Sequence, residues 1–377
     1  MRKYKLLYFV SEDKYFLTHK IDHILYAMKQ NIEILVICKK TLKKKNPLLN
    51  NITVKYFDFD RKTLNPFKII LNIVRLYKII KSFKPNIIHN TALKPIILGS
   101  FASLFFSNIY VINSIVGLGY VYINFNIKTM LLRKLLNFPL KFFLSKKNFF
   151  TVFQNSDDEI FFKSRCKINK SFLIRGSGVD IKKFYPGNKK KIYDLIYHSR
   201  MLKDKGIIEL INVIRKIKKK KSLKVLFLGN PDISNDASIS LQTLENWQNE
   251  GLIIWKGFCE EVIGYLNQSK ICILPSYREG FPKSLLEGAS CGLPIIATDV
   301  PGCREICVNN LNGFLVKPKD EYTLQKSIIS LLNDKKLLKK FGFNSRKLVK
   351  QNFNVDFISR DFVCLYNQII KESKKAQ

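Results

Sequence analysis

Short apolar runs alternate with amphipathic stretches of helical period along the whole chain, the pattern of parallel strands buried on both faces between covering helices. In the first half these runs predict strands near 5–10, 32–37, 53–57, 86–89, 109–112, 149–153 and 172–174. In the second half they fall near 193–198, 223–228, 252–255, 271–274, 294–297 and 314–316. A chain of 377 residues with this repetition is long enough for two α/β domains, each a doubly wound parallel sheet with its own core. The segment FYPGNKKK at 184–191 combines proline, glycine and a charge run, and reads as the linker between them.

The most informative stretch is 271–316, ICILPSYREGFPKSLLEGASCGLPIIATDVPGCREICVNNLNGFLV. Ile271 to Leu274 reads as a buried strand, YREGF as the loop after it, and Pro282 as the first residue of a helix ending near Gly292. Ligands of open α/β sheets bind outside the carboxyl ends of strands. There the helix start offers unpaired N–H groups and a positive dipole end to a phosphate, and Gly280 allows close backbone approach. Glu279, in the loop, can accept hydrogen bonds from sugar hydroxyls; Glu287, in the second turn, can accept a pair from a ribose diol. Dipole complementation alone would account for Glu287 but not for the Gly280-Phe281-Pro282 loop. Ser284, in the first turn, can donate to a phosphate oxygen or simply pack. Arg200 and Lys205 follow the apolar run YDLIYHS and precede a helix beginning near Gly206, beside a second phosphate-suited helix end. Gly229, in the turn after VLFLG, lets backbone pass close to a ligand.

The spacing of Glu279 and Glu287 resembles the Glu-x7-Glu signature of retaining glycosyltransferases of family 4, which have the GT-B fold of two Rossmann-like domains facing a cleft. The likeness extends to FVSEDKYFLTHK (9–20), IIHNTALKP (87–95), VGLGYVYI (116–123), FQNSDDEIFF (153–162) and IRGSGVDIKKFYP (174–186). The resemblance implies an acceptor-side, membrane-facing domain over 1–183, a nucleotide-sugar-binding domain over 184–355, and a last helix, 356–377, that crosses back to the first domain. It gives Arg200 and Lys205 the donor diphosphate. It puts His19, in the loop after the first strand, and His89, ending the fourth, toward the cleft, with His19 a catalytic candidate that orients the acceptor hydroxyl or the donor phosphate; His89 reads equally as a satisfied core histidine. Gly117, Leu118, Gly119 and Lys94 fall on the acceptor side. The donor implied is a nucleotide sugar and the acceptor a lipid-linked saccharide, with a UDP-N-acetylhexosamine favoured and UDP-glucose, UDP-galactose or GDP-mannose as alternatives. No cofactor or metal is required by this architecture. Asp58-Phe59-Asp60 spells a metal-binding Asp-x-Asp, but it ends the third strand, far from every donor motif, and reads as strand-end polarity.

Charge changes the picture of partners. The net charge is +36, and residues 1–186 hold 33 Lys and Arg against 10 Asp and Glu. Between Asp60 and Asp157 there is no acidic residue, while 14 basic ones stand among long aliphatic and aromatic side chains. In 64–85, residues Lys68, Arg75, Lys78 and Lys81 recur near helical spacing; in 127–147, Arg133, Lys134 and Lys141 lie beside crowded apolar residues. Basic helices with apolar faces suit an anionic membrane surface, against the plainer readings of coding bias or burial on the sheet. A nucleic-acid-binding protein is the alternative from another class, disfavoured because the cations accompany aliphatic runs rather than stacking aromatics. The apolar window 95–123 is interrupted by Ser103, Ser107, Asn108, Asn113 and Ser114, and MRKYKLLYFV is too short for a signal core, so the expected place is cytoplasmic, at the inner face of the membrane. The eight cysteines sit mostly in apolar segments, as reduced buried thiols do, and Cys303 and Cys307 lack the companions of a zinc site.

Overall fold

The structure, a computed structural model, describes residues 4–42, 46–59, 65–117, 127–232 and 235–375. Leu118, Gly119 and Asp60 lie outside the described residues. The chain divides into two units, Met1–Ser177 with Val355–Gln377, and Gly178–Asn354.

The first unit is a seven-stranded parallel sheet in the order β3-β2-β1-β4-β5-β6-β7. Its strands are β1 (Lys5–Glu12), β2 (Glu33–Lys39), β3 (Thr53–Tyr56), β4 (Ile87–Thr91), β5 (Tyr110–Ile115), β6 (Phe149–Phe153) and β7 (Lys170–Leu173). The central strands are apolar on both faces because helices cover both. Leu6, Tyr8 and Val10 face one core, which the helix Val355–Lys375 completes with Phe362, Leu365, Tyr366 and Ile369. Leu7 and Phe9 face the other, against Leu76, Ile79 and Ile80 of the helix Pro66–Phe83. That helix starts cleanly: Asn65 accepts hydrogen bonds from the Phe67 and Lys68 amides at 3.0 and 3.4 Å, and Pro66 presets the first helical φ.

The second unit is a six-stranded parallel sheet in the order β10-β9-β8-β11-β12-β13. Its strands are β8 (Tyr193–His198), β9 (Val225–Leu228), β10 (Ile254–Trp255), β11 (Ser269–Leu274), β12 (Ile295–Thr298) and β13 (Gly313–Val316). β8 pairs with β9 on one side and β11 on the other, Leu195 opposite Val225 and Ile196 opposite Cys272. The order reverses direction between β8 and β11, so the connections leaving these two strands part to opposite faces and open a crevice at their carboxyl ends. Every strand expected from the apolar runs is present within a few residues.

Candidate active site

The loops after β8 and β11 meet at that crevice. Gly206 takes φ +70°, and a Cβ there would lie 1.9 Å from the Pro275 carbonyl oxygen, so only glycine lets the two loops touch. Tyr277 donates its amide to the Asp204 carbonyl at 2.9 Å, and its hydroxyl donates to Glu209 in the helix Ile207–Lys218. Burial and that carboxylate raise the Tyr277 hydroxyl well above the ordinary tyrosine range, keeping it a donor.

These contacts set Glu279 beside Lys205. The Lys205 ammonium donates to Glu279 Oε1 at 2.5 Å, with the two side chains only 15% and 11% exposed, and Ser276 donates to the same oxygen at 2.6 Å. Arg200 stands further out, 58% exposed, on Asp232 Oδ2 at 2.8 Å. Glu287, buried in the helix Lys283–Ser290, has its Oε2 3.5 Å from His198 Nδ1, the last side chain of β8. His198 is held below the ordinary histidine range by burial first; Glu287 opposes that shift and Lys283 adds to it. Gly229, at φ +134°, passes so close to the Ser199 carbonyl that a Cβ would lie 1.9 Å from it.

The helix begins at Lys283 with Pro282 as its N-cap, one residue later than expected. The left-handed glycine of the turn is Gly302, at φ +78°, whose Cβ would meet the Gly280 and Glu279 carbonyls at 2.5 and 2.9 Å. Phe281, expected on the donor side, is buried, and its ring meets Phe353 edge-on at 5.3 Å. Ser284 is half-buried in the first turn.

In the first unit two expectations change. His19 is the last residue of the helix Asp13–His19, not a loop residue, because β1 runs directly into that helix; its ring stacks on Tyr15 at 4.5 Å and its Nδ1 meets the Thr18 hydroxyl at 2.7 Å. His89 does not reach a surface. It is fully buried, with Nδ1 2.8 Å from the Tyr366 hydroxyl and Nε2 2.6 Å from Ser114 Oγ, which settles the open choice in favour of a satisfied core histidine. Beside it His23, also buried, stacks on Phe362 at 4.7 Å and leaves Nε2 without a hydrogen-bond partner. Burial first, then the nearby Lys20 charge, pushes both histidines well below the ordinary range. Lys94 is half-buried in the first turn of the helix Leu93–Ser103, whose N-cap Ala92 has φ +81°, a conformation glycine favours. Gly117 has φ +127° at the end of the described segment. Asp58 is exposed and lies 3.5 Å from Lys39.

Sequence reasoning missed Ser276, Asp232, His198 and Gly302. The signal for Gly302 was present in DVPGCRE, a Pro-Gly pair at a strand-to-helix turn. Among the described residues no group of three or more His, Cys, Asp and Glu side chains could hold a metal, and no helix is long and apolar enough to cross a membrane.

Two doubly wound parallel-sheet domains of this kind define the GT-B class of glycosyltransferases. Sucrose-phosphate synthase from Thermosynechococcus elongatus has this fold and superposes with a TM-score of 0.83, covering 98% of this chain and 100% of that one, at 18% identity. The family described as glycosyl transferases group 1 matches residues 179–348, and that described as glycosyl transferase 4-like matches 5–153. The chain belongs to this glycosyltransferase family, one part of it in each unit. It is similar to the N,N'-diacetylbacillosaminyl-diphospho-undecaprenol alpha-1,3-N-acetylgalactosaminyltransferase of Campylobacter jejuni, 28% identical over 85% of this chain and 87% of that protein. It is also similar to the UDP-Gal:alpha-D-GlcNAc-diphosphoundecaprenol alpha-1,3-galactosyltransferase of Escherichia coli, 24% identical over 86% of each.

Proposed function

We propose that the protein transfers an N-acetylhexosamine from a UDP-sugar onto a saccharide linked to a polyprenyl diphosphate, in the assembly of a surface glycan, with retention at the transferred carbon and without a metal ion. The observation that carries this reading is the meeting of Glu279 and Lys205 at 2.5 Å beside the start of the helix Lys283–Ser290. One carboxylate for sugar hydroxyls and one ammonium for a departing diphosphate are the two charges the reaction needs, and they stand where a helix N-terminus can share the phosphate. Arg200, on its flexible exposed perch, swings from Asp232 to the diphosphate. Fixed cations favour the transition state because negative charge on the leaving phosphate grows as the glycosidic bond breaks. Glu287 accepts from the ribose diol, and Gly229 lets the nucleotide lie against backbone.

With retention, the acceptor hydroxyl attacks on the face from which the diphosphate leaves, and a phosphate oxygen takes its proton. His19, Lys94 and Gly117 of the first unit serve the acceptor. Both relatives are named for undecaprenol diphosphate acceptors, which supports the lipid-linked class. The E. coli name favours a second reading in which the donor is UDP-galactose.

The first unit also carries the surface that would meet an anionic membrane from the cytoplasmic side. On the helix Pro66–Phe83, Phe67 is 84% exposed and Ile70, Leu71 and Val74 are exposed with it, while Lys68, Arg75 and Lys78 flank them. On the helix Ile127–Leu144, Leu135, Phe138 and Phe142 are exposed beside Lys134 and Lys141. Apolar side chains flanked by cations match headgroups over an acyl boundary, and no role for nucleic acid is needed.

The test is a panel of nucleotide sugars scored by thermal shift, followed by turnover on short polyprenyl-diphosphate sugars. Stabilisation by UDP-N-acetylhexosamines, and product formed only from lipid-linked acceptors, is the expected outcome. Stabilisation by none of the panel would overturn the reading, and preference for UDP-galactose would select the second.

A further inference from the structure

His198 ends the central strand β8, and Glu287 stands in the helix that follows β11; these are the two elements bordering the crevice where the strand order reverses. Nothing in the Glu-x7-Glu pattern calls for a histidine at 198. Its Nδ1 is shut off from solvent and has no hydrogen-bond partner, yet it lies 3.5 Å from Glu287 Oε2. A ring nitrogen withdrawn from water without a partner costs free energy, and a carboxylate 3.5 Å away is the group that can relieve the cost. The contact is at the long limit of a hydrogen bond.

We propose that His198 is a positioning residue for the nucleotide: its Nδ1–H donates to Glu287 Oε2 and turns the carboxylate so that it receives the ribose diol. The inference rests on the reading of Glu287 as the ribose acceptor. Glu287 is buried on the second turn of its helix, and its backbone fixes only where the carboxylate starts. The angle at which two oxygens meet two hydroxyls depends on what holds the carboxylate from behind. Burial keeps His198 neutral at neutral pH, so the ring donates one proton in a defined direction rather than acting as a mobile cation.

The experiment measures binding of UDP and 2′-deoxy-UDP, and of GDP and 2′-deoxy-GDP, to the full chain by calorimetry, with donor KM and kcat alongside. The wild type is expected to prefer the ribonucleotide, and Glu287→Gln to lose that preference. His198→Leu should weaken ribonucleotide binding about two- to tenfold, the range of one hydrogen bond, with little change for the deoxynucleotide and with KM rising more than kcat falls. His198→Asn, whose amide reaches the place of Nδ1, should recover most of the preference, and His198→Gln, reaching the place of Nε2, should not. That comparison stands even where His198→Leu does not fold. Full ribose preference in His198→Leu, or equal behaviour of the Asn and Gln variants, overturns the inference while leaving Glu287 in its role. Preference kept in Glu287→Gln overturns that role and this inference together.

Discussion

Replacing His23 by leucine should make the first unit less sensitive to acid. In the folded chain His23 is buried against Phe362, with Lys20 and His89 close by, so it takes up a proton only far below the usual range. In the unfolded chain it protonates at about pH 6.5. The unfolded state then binds more protons, so the stability His23 leaves intact is fully present above about pH 6.5 and is lost as pH falls below it. At pH 5.5, one unit below the unfolded value, the loss is about 1.4 kcal/mol, from RT ln(1 + 10), and at pH 7.5 it is close to zero. Because Nε2 has no hydrogen-bond partner, His23→Leu removes no bond there and exchanges one buried ring for a side chain that never charges. The variant should therefore gain about 1.4 kcal/mol on the wild type between pH 7.5 and 5.5. Both tryptophans, Trp247 and Trp255, belong to the second unit, so their fluorescence reports that unit and serves as a control. The first unit is followed by hydrogen exchange of β1, β4 and Val355–Lys375, where the intrinsic pH dependence of exchange cancels between variant and wild type at each pH. A difference between the two proteins that stays constant across this interval would refute the argument.

Glu279→Ala should lower turnover roughly a hundredfold or more while UDP still binds, and near-normal turnover would remove Glu279 from the donor site. Arg200→Ala and Lys205→Ala should reduce kcat more than they raise KM, with wild-type activity unchanged by chelators; an absolute requirement for Mg²⁺ or Mn²⁺ would bring Asp58 and Asp60 back into consideration. The protein should float with anionic vesicles more than with neutral ones and lose the preference as salt rises. Changing Arg133, Lys134 and Lys141 to Gln should weaken that binding by about 1 kcal/mol each without altering UDP binding; equal flotation with both vesicles would reduce the basic surplus to coding bias.

The strands were legible because each is a short apolar run closed by turn residues, and burial on both faces leaves no alternation to blur it. Helix edges were less so: nothing in FVSEDKYFLTHK marks that β1 passes into a helix at Asp13, since Glu12 caps it without a side-chain bond. In the candidate active site the residue types were readable and their partners were not. Lys205 and Glu279 were assigned to phosphate and sugar separately, but their direct contact joins positions 74 apart, through a loop approach that only Gly206 permits. His89 was undecidable for the same reason, as the hydroxyl that satisfies it comes from Tyr366, 277 positions along the chain. Phe281 sits in a motif suited to ligands yet faces inward, because Phe353 offers its ring a place.

The helix Val355–Lys375 belongs to the first unit although it is made after the whole of the second. As the chain emerges during synthesis, residues 1–177 can form strands and local helices, but Tyr8, His23 and His89 then lack Phe362 and Tyr366 to cover them. The second unit is one continuous segment, 178–354, and can close its core as soon as it has emerged. The usual order of N-terminal domain first is thereby inverted. The first unit waits, with an apolar and partly polar face open to solvent, until Val355–Lys375 has emerged. A stop codon near 354 would spare every residue of the proposed donor site and still leave a protein whose first half cannot mature, so lesions in Val355–Lys375 should show as aggregation or degradation rather than as altered chemistry.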